Sequence, residues 1–116
     1  MSILLHPSGA ETVTGQSVAN NLEENEVIAL FVNVTAASGG TPTLDVKVQD
    51  SPDGITWYDV PSLATAQFVT TGSEAVRITV GTKLAEKVRL DWTISGTGPS
   101  FTFTADLSTV DLNLNS

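Results

Sequence analysis

The sequence predicts an all-β fold: a single-domain antiparallel β-sandwich of jelly-roll or immunoglobulin-like type, or a small β-barrel, with extended termini. Three observations carry this reading. Apolar and polar residues alternate with a period of two in nearly every segment. Turns rich in Gly, Pro and Ser recur at short, regular intervals. No stretch sustains the 3.6-residue period of a long helix, although residues 17–26, 60–67 and 83–86 are helix-compatible over short lengths. A chain of 116 residues suits one domain, and such a domain buries roughly two-thirds of the surface its unfolded chain exposes.

Taken in order, the first sixteen residues are polar and short of core anchors, which predicts an N-terminal arm over 1–16 and a sandwich domain over 17–109. Ile28, Leu30, Val32 and Val34 alternate with Ala29, Phe31, Asn33 and Thr35. Both sets are apolar enough for a central strand buried on both sides. Leu44, Val46 and Val48 alternate with Asp45, Lys47 and Gln49, giving a strand with one wet face. Ser51-Pro52-Asp53-Gly54 follows and predicts a hairpin turn into a second run, Ile55 to Val60. Pro presets φ, Asp bonds back to nearby amides, and Gly accepts positive φ.

Val76, Ile78 and Val80 form a further alternating run, and Val88, Leu90, Trp92 and Ile94 another, with Arg89, Asp91, Thr93 and Ser95 on the wet side. Phe101, Phe103, Ala105 and Leu107 complete the core pattern. Residues 38–42, 71–73 and 95–99 supply the remaining turns. Beyond them Val110, Leu112 and Leu114 alternate with Asp111, Asn113 and Asn115, which predicts a C-terminal arm over 110–116 able to pair with a sheet edge of its own domain or of a neighbour. No repeat period or composition shift marks a second domain.

Five basic and thirteen acidic side chains leave a formal charge of −8, a field that repels nucleic acid and anionic membranes. Charged residues are only 16% of the chain, fewer than an average soluble surface carries, so part of the surface is expected to face other protein. No apolar run reaches the ~20 residues of a membrane-spanning helix. The start Met1 to Pro7 lacks the basic and long apolar regions of a cleaved signal, so synthesis in a cytoplasm is expected. With no cysteine there is no disulfide or thiolate chemistry.

Candidate chemical sites are sparse. Residues 51–57 resemble the Asp-box of sialidase-type propellers but are one residue short of its Ser-x-Asp-x-Gly-x-Thr-Trp pattern, and the blade repeat is missing. Trp57 and Tyr58 offer a sugar-stacking platform, against a packing role in which one is buried and the other partly exposed. His6, the single histidine, is read as a solvated terminal residue, which leaves a Ser-His-Asp triad or a histidine metal site without its parts. Asp50, Asp53 and Asp59 could offer oxygens to calcium, but their spacing departs from the EF-hand ladder, so turn capping is the expected role of Asp50 and Asp53. Glu23, Glu24 and Glu26 read as a solvated acidic loop, and the sequon Asn33-Val34-Thr35 as a chance match inside a strand. No cofactor, metal or catalytic residue is predicted.

Residues 44–60 and 87–103 together resemble small structural proteins from tailed-phage morphogenesis regions: a strand, a Ser-x-Asp-Gly-x-x-Trp turn, then an Arg-x-x-Trp strand followed by Gly-x-Gly. The resemblance covers the middle and later two-thirds of the chain. It implies a non-enzymatic head decoration protein, a homotrimer on the outer capsid surface with the major capsid protein as partner. Such a protein needs no catalytic group and holds its lattice through many weak contacts. Under this reading the partner-binding residues are Ile3, Leu4 and Leu5 in one arm and Val110, Leu112 and Leu114 in the other. The alternatives are a tail or head–tail connector protein, or a carbohydrate-binding module on a virion surface.

Overall fold

The computed structural model describes residues 2–22, 25–82 and 84–111. Among them all regular structure is strand: β1 (Ser2–Glu11), β2 (Gly15–Gln16), β3 (Asn20–Asn21), β4 (Asn25–Ser51), β5 (Tyr58–Ala64), β6 (Gly72–Thr82) and β7 (Lys87–Asp111). They form one antiparallel sheet built around the β4–β7 pair, which runs from Asn25↔Asp111 to Ser51↔Lys87. The antiparallel all-β class is as the alternation predicts.

β4 alone has 27 residues; fully extended it would run about 90 Å at about 3.3 Å per residue. The molecule is only 51 Å in its longest direction, so the sheet turns back on itself. The first half-sheet comprises β1, residues 101–111 of β7, residues 25–38 of β4, and β6. The second comprises β2 and β3 along one edge, residues 87–95 of β7, residues 43–51 of β4, and β5. Trp92 of the second half meets Phe103 of the first edge-on, with centroids 5.8 Å apart. The inward residues of both halves, from Leu30, Val32 and Val34 to Val88, Leu90 and Leu107, make one continuous core.

The bend sits at the two Gly-rich segments that sequence alone reads as turns. They are corners within strands, paired with each other through Ser38↔Ser100, Gly40↔Thr97 and Thr43↔Ser95. Backbone crowding there demands glycine. At Gly96, with φ +124°, a Cβ would come within 2.9 Å of the Gly40 carbonyl oxygen and the Pro42 Cα; at Gly39, with φ +116°, a Cβ would lie 2.8 Å from the Gly98 oxygen and the Pro99 Cα.

Several expectations are corrected. Most of the arm expected over 1–16 is paired: β1 pairs with β7 from Ser2↔Ser108 to Glu11↔Phe101, and β2 pairs with it through Gly15↔Trp92 and Gln16↔Asp91. Two register shifts, between Leu4 and His6 and between His6 and Gly9, break the alternation that would have announced the strand. As a result Leu5 and His6 are both buried, so Leu5 is not a surface contact and His6 is not solvated. At the other end β7 runs through Val110, which pairs with Glu26, so the boundary at 109/110 falls inside a strand. Leu112 and Leu114 lie outside the described residues, as do Glu23 and Glu24. The central strand is wet on its second face, where Phe31, Asn33 and Thr35 are exposed.

The run after Gly54 also begins later than expected. Tyr58 is the first paired residue, opposite Asp50, while Ile55 and Thr56 belong to the loop. The loop is otherwise as its residue types predict. The Ser51 hydroxyl accepts from the Gly54 amide at 2.8 Å, the Asp53 carboxylate accepts from the amides of Ile55 at 2.8 Å and Thr56 at 3.0 Å, and Gly54 has φ +79°.

Candidate functional site

The outer face of the first half-sheet displays apolar side chains among the described residues. Register places Leu4, Asp106, Phe31 and Ala75 in one row across β1, β7, β4 and β6. The next row holds Thr104, Asn33 and Ser73, with the Ser73 hydroxyl donating to Asn33 Oδ1 at 2.7 Å. Alternation along β7 puts Val110 on the same face as Asp106, because Leu107 and Thr109 are turned inward and buried. Leu4 is 52% exposed, Phe31 37% and Val110 39%.

Phe31 lies under the Arg77 guanidinium, 5.4 Å from its centroid. Phe31, Arg77, Thr104 and Asp106 are among the residues lining a shallow depression of about 310 Å³. Apolar side chains among charges of both signs make a surface suited to protein contact, where an aromatic–Arg pair is a common anchor. Of the residues expected to bind a partner, Leu4 and Val110 stand on this face, Ile3 is half-buried against the core, and Leu5 is internal. Sequence reasoning misses Phe31 and Arg77. The alternation alone puts Phe31 on a buried face; its cross-strand neighbours Asp106 and Ala75, visible only once register is known, leave it open.

The outer face of the second half-sheet is polar. Gln16 donates to Asp91 at 2.9 Å, Lys47 donates to Asp59 at 3.0 Å, Gln49 donates to Asp59 at 2.8 Å, and Arg89 donates to Gln49 at 2.9 Å. The Asp59 hydrogen bond, more than charge attraction to Asp59 and Asp91, raises the Lys47 ammonium above its ordinary value. Gln49 first and Lys47 second hold Asp59 below the ordinary carboxylate range. Arg89 also covers the Trp57 ring at 4.3 Å, leaving Trp57 half-buried and Tyr58 57% exposed.

The three aspartates that could offer oxygens to calcium are engaged separately. Asp50 accepts from the Ala85 amide at 2.9 Å, Asp53 caps its own turn, and Asp59 belongs to the Lys47 network. Among the described residues no group of three His, Asp or Glu side chains is placed to hold a metal ion.

No protein-family model matches the sequence, and no curated protein matches it. Solved structures with the same fold exist. A chain of infectious bursal disease virus, Gx strain, superposes with a TM-score of 0.60 at 14% identity, covering 100% of this protein and 32% of the viral chain. A chain of the T13 particle of the same virus superposes with a TM-score of 0.53 at 13% identity, covering 96% of this protein and 30% of that chain. CpGH89CBM32-6, produced by Clostridium perfringens, superposes with a TM-score of 0.51 at 15% identity, covering 94% and 76%. This protein thus spans about a third of the length of the viral chains, 32% and 30%. At identities this low the superpositions show a shared β fold alone.

Proposed function

We propose that this protein is a non-enzymatic structural component of a virus particle: a decoration protein bound to the outer surface of a tailed-phage capsid. In this reading it is made in the host cytoplasm, assembles as a homotrimer and takes the major capsid protein as partner. The observation that carries the reading is the outer face of the first half-sheet. It presents Leu4, Phe31 and Val110 on a four-strand platform with Arg77 and Asp106 beside them. Shell proteins need such a face, since each copy buries modest area and the lattice multiplies the contacts. The likeness in fold to chains of a viral particle, over the whole of this chain, supports it.

The test is co-sedimentation of the purified protein with mature shells of the particle encoded by the same genome. Saturable binding at a fixed ratio to the major capsid protein is expected. Binding to tails or to the head–tail junction alone would move the assignment to a connector.

A carbohydrate-binding module is the second reading, favoured by the exposed Tyr58 and the likeness to CpGH89CBM32-6. The Trp57 face already taken by Arg89 weighs against it, since a sugar would have to displace the guanidinium. A glycan array decides between the two.

A further inference from the structure

Leu4, Asp106 and Phe31 stand side by side in one cross-strand row of the first half-sheet, with the aspartate between the two apolar side chains. Leu4 and Phe31 are exposed, and Asp106 is half-buried. The Asp106 carboxylate takes no hydrogen bond and no ion pair from any described residue. Glu26, opposite the exposed Val110, is likewise half-buried and unpaired among the described residues. Glu74 differs, since its carboxylate accepts from the Ala66 amide at 3.0 Å.

This placement limits what can cover the face. A partner that buries Leu4 and Phe31 must also bury Asp106 between them, and a carboxylate taken out of water without a counter-charge offsets what the flanking apolar area contributes. The chain's own cation on this face does not supply that charge. Arg77 stands on β6, separated from β7 by β4, and its guanidinium lies over the Phe31 ring.

We propose that this face takes a basic, apolar protein surface: one that sets a Lys or Arg side chain against Asp106 and apolar side chains against Leu4 and Phe31. The inference rests on the shell-binding reading above and gives the shell's side of the contact its chemistry. Asp106 is then the residue that selects the partner, since a paired carboxylate is tolerated in the contact while an apolar or acidic surface leaves it buried and unmatched. A second copy of this chain fits poorly. Its matching face brings two unpaired carboxylates, Asp106 and Glu26, for one guanidinium already seated on Phe31, and each chain carries a formal charge of −8.

Co-sedimentation of the full chain with mature shells of the encoding particle tests this, at about 50 mM and about 500 mM NaCl, where exposed charges are felt and then screened. Asp106→Asn removes the charge and keeps the shape, and Asp106→Lys reverses it. Glu86→Lys makes the same change in net charge at an exposed residue just before the second half-sheet's stretch of β7. At low salt Asp106→Lys should weaken binding about tenfold or more and Asp106→Asn about three- to tenfold, with both gaps narrowing at high salt and Glu86→Lys staying close to the wild type. If Asp106→Lys does not fold, as circular dichroism would show, Asp106→Asn and the salt dependence of the wild type decide. Equal binding by wild type and the Asp106 variants overturns this inference and leaves shell binding standing, as does a loss in Glu86→Lys that matches the loss in Asp106→Lys. Unchanged shell binding with an altered oligomeric state of Asp106→Lys on gel filtration also overturns it, and assigns the face to contacts between copies. Wild type that sediments with shells at neither salt concentration removes both the shell reading and this inference.

Discussion

Replacing Gly96 by alanine tests whether the sheet folds back where two strands turn together. At φ +124° alanine occupies a region that essentially only glycine populates, at a cost of about 1–3 kcal/mol. The added Cβ would lie 2.9 Å from the Gly40 oxygen and the Pro42 Cα and 3.0 Å from the Thr41 oxygen. All three are backbone atoms of the partner strand, which cannot swing aside as a side chain would. Forcing the strands apart adds about 1–3 kcal/mol, for a total of about 2–6 kcal/mol. Gly98 is the internal control. Its φ is +57° and a Cβ there would meet nothing within 4 Å, so alanine pays only the left-handed penalty of about 1–2 kcal/mol. At about 4 °C per kcal/mol for a domain of this size, Gly96→Ala should lower Tm by about 8–24 °C and Gly98→Ala by about 4–8 °C. Thermal unfolding followed by circular dichroism measures both, with urea m-values checking that each variant unfolds in one step. Equal losses at the two positions would refute the crowded corner.

Trp92→Ala should cost about 3–5 kcal/mol, because the ring packs on Phe103 and His6 and its Nε1 donates to the Val13 carbonyl at 3.0 Å; an unchanged Tm would mean that the two half-sheets do not meet through this residue. The Asp53 carboxyl is held below its ordinary value of 3.8, chiefly by the Thr56 amide and then by that of Ile55. Its support of the turn is therefore complete above that value and fades as pH falls through the depressed one, so exchange protection of the Ile55 and Thr56 amides should fall on acidification in the wild type and stay flat in Asp53→Asn. Phe31→Glu should leave Tm within about 2 °C, since surface substitutions usually change stability by under 0.5 kcal/mol, while reducing shell binding at least tenfold; binding that survives would remove this face from the interface.

The alternation of Leu44, Val46 and Val48 and of Phe101, Phe103, Ala105 and Leu107 reports its inner face directly, because each run lies in a regular stretch of strand with one side on the core. Connectivity is less legible. Residues 38–42 and 95–99 carry the Gly and Pro of chain-reversing turns, and the same residue types serve a corner through which a strand continues; only pairing between the two segments tells them apart. β1 is hidden for a related reason, since its register shifts put the adjacent Leu5 and His6 both inside and leave Leu4 outside. The candidate surface is legible in part. Leu4 and Val110 are apparent as terminal apolar residues, whereas Phe31 joins them only through cross-strand register, a property of the paired chain rather than of any one segment.

Cryo-electron microscopy of particles purified from the encoding genome, with and without this gene, tests the virion assignment most directly. The account predicts repeated densities of this fold on the outside of the shell, in groups of three at symmetry positions, with the outer face of the first half-sheet turned toward neighbouring protein, and their disappearance when the gene is deleted. Particles identical in both preparations, or density confined to the tail, would contradict it.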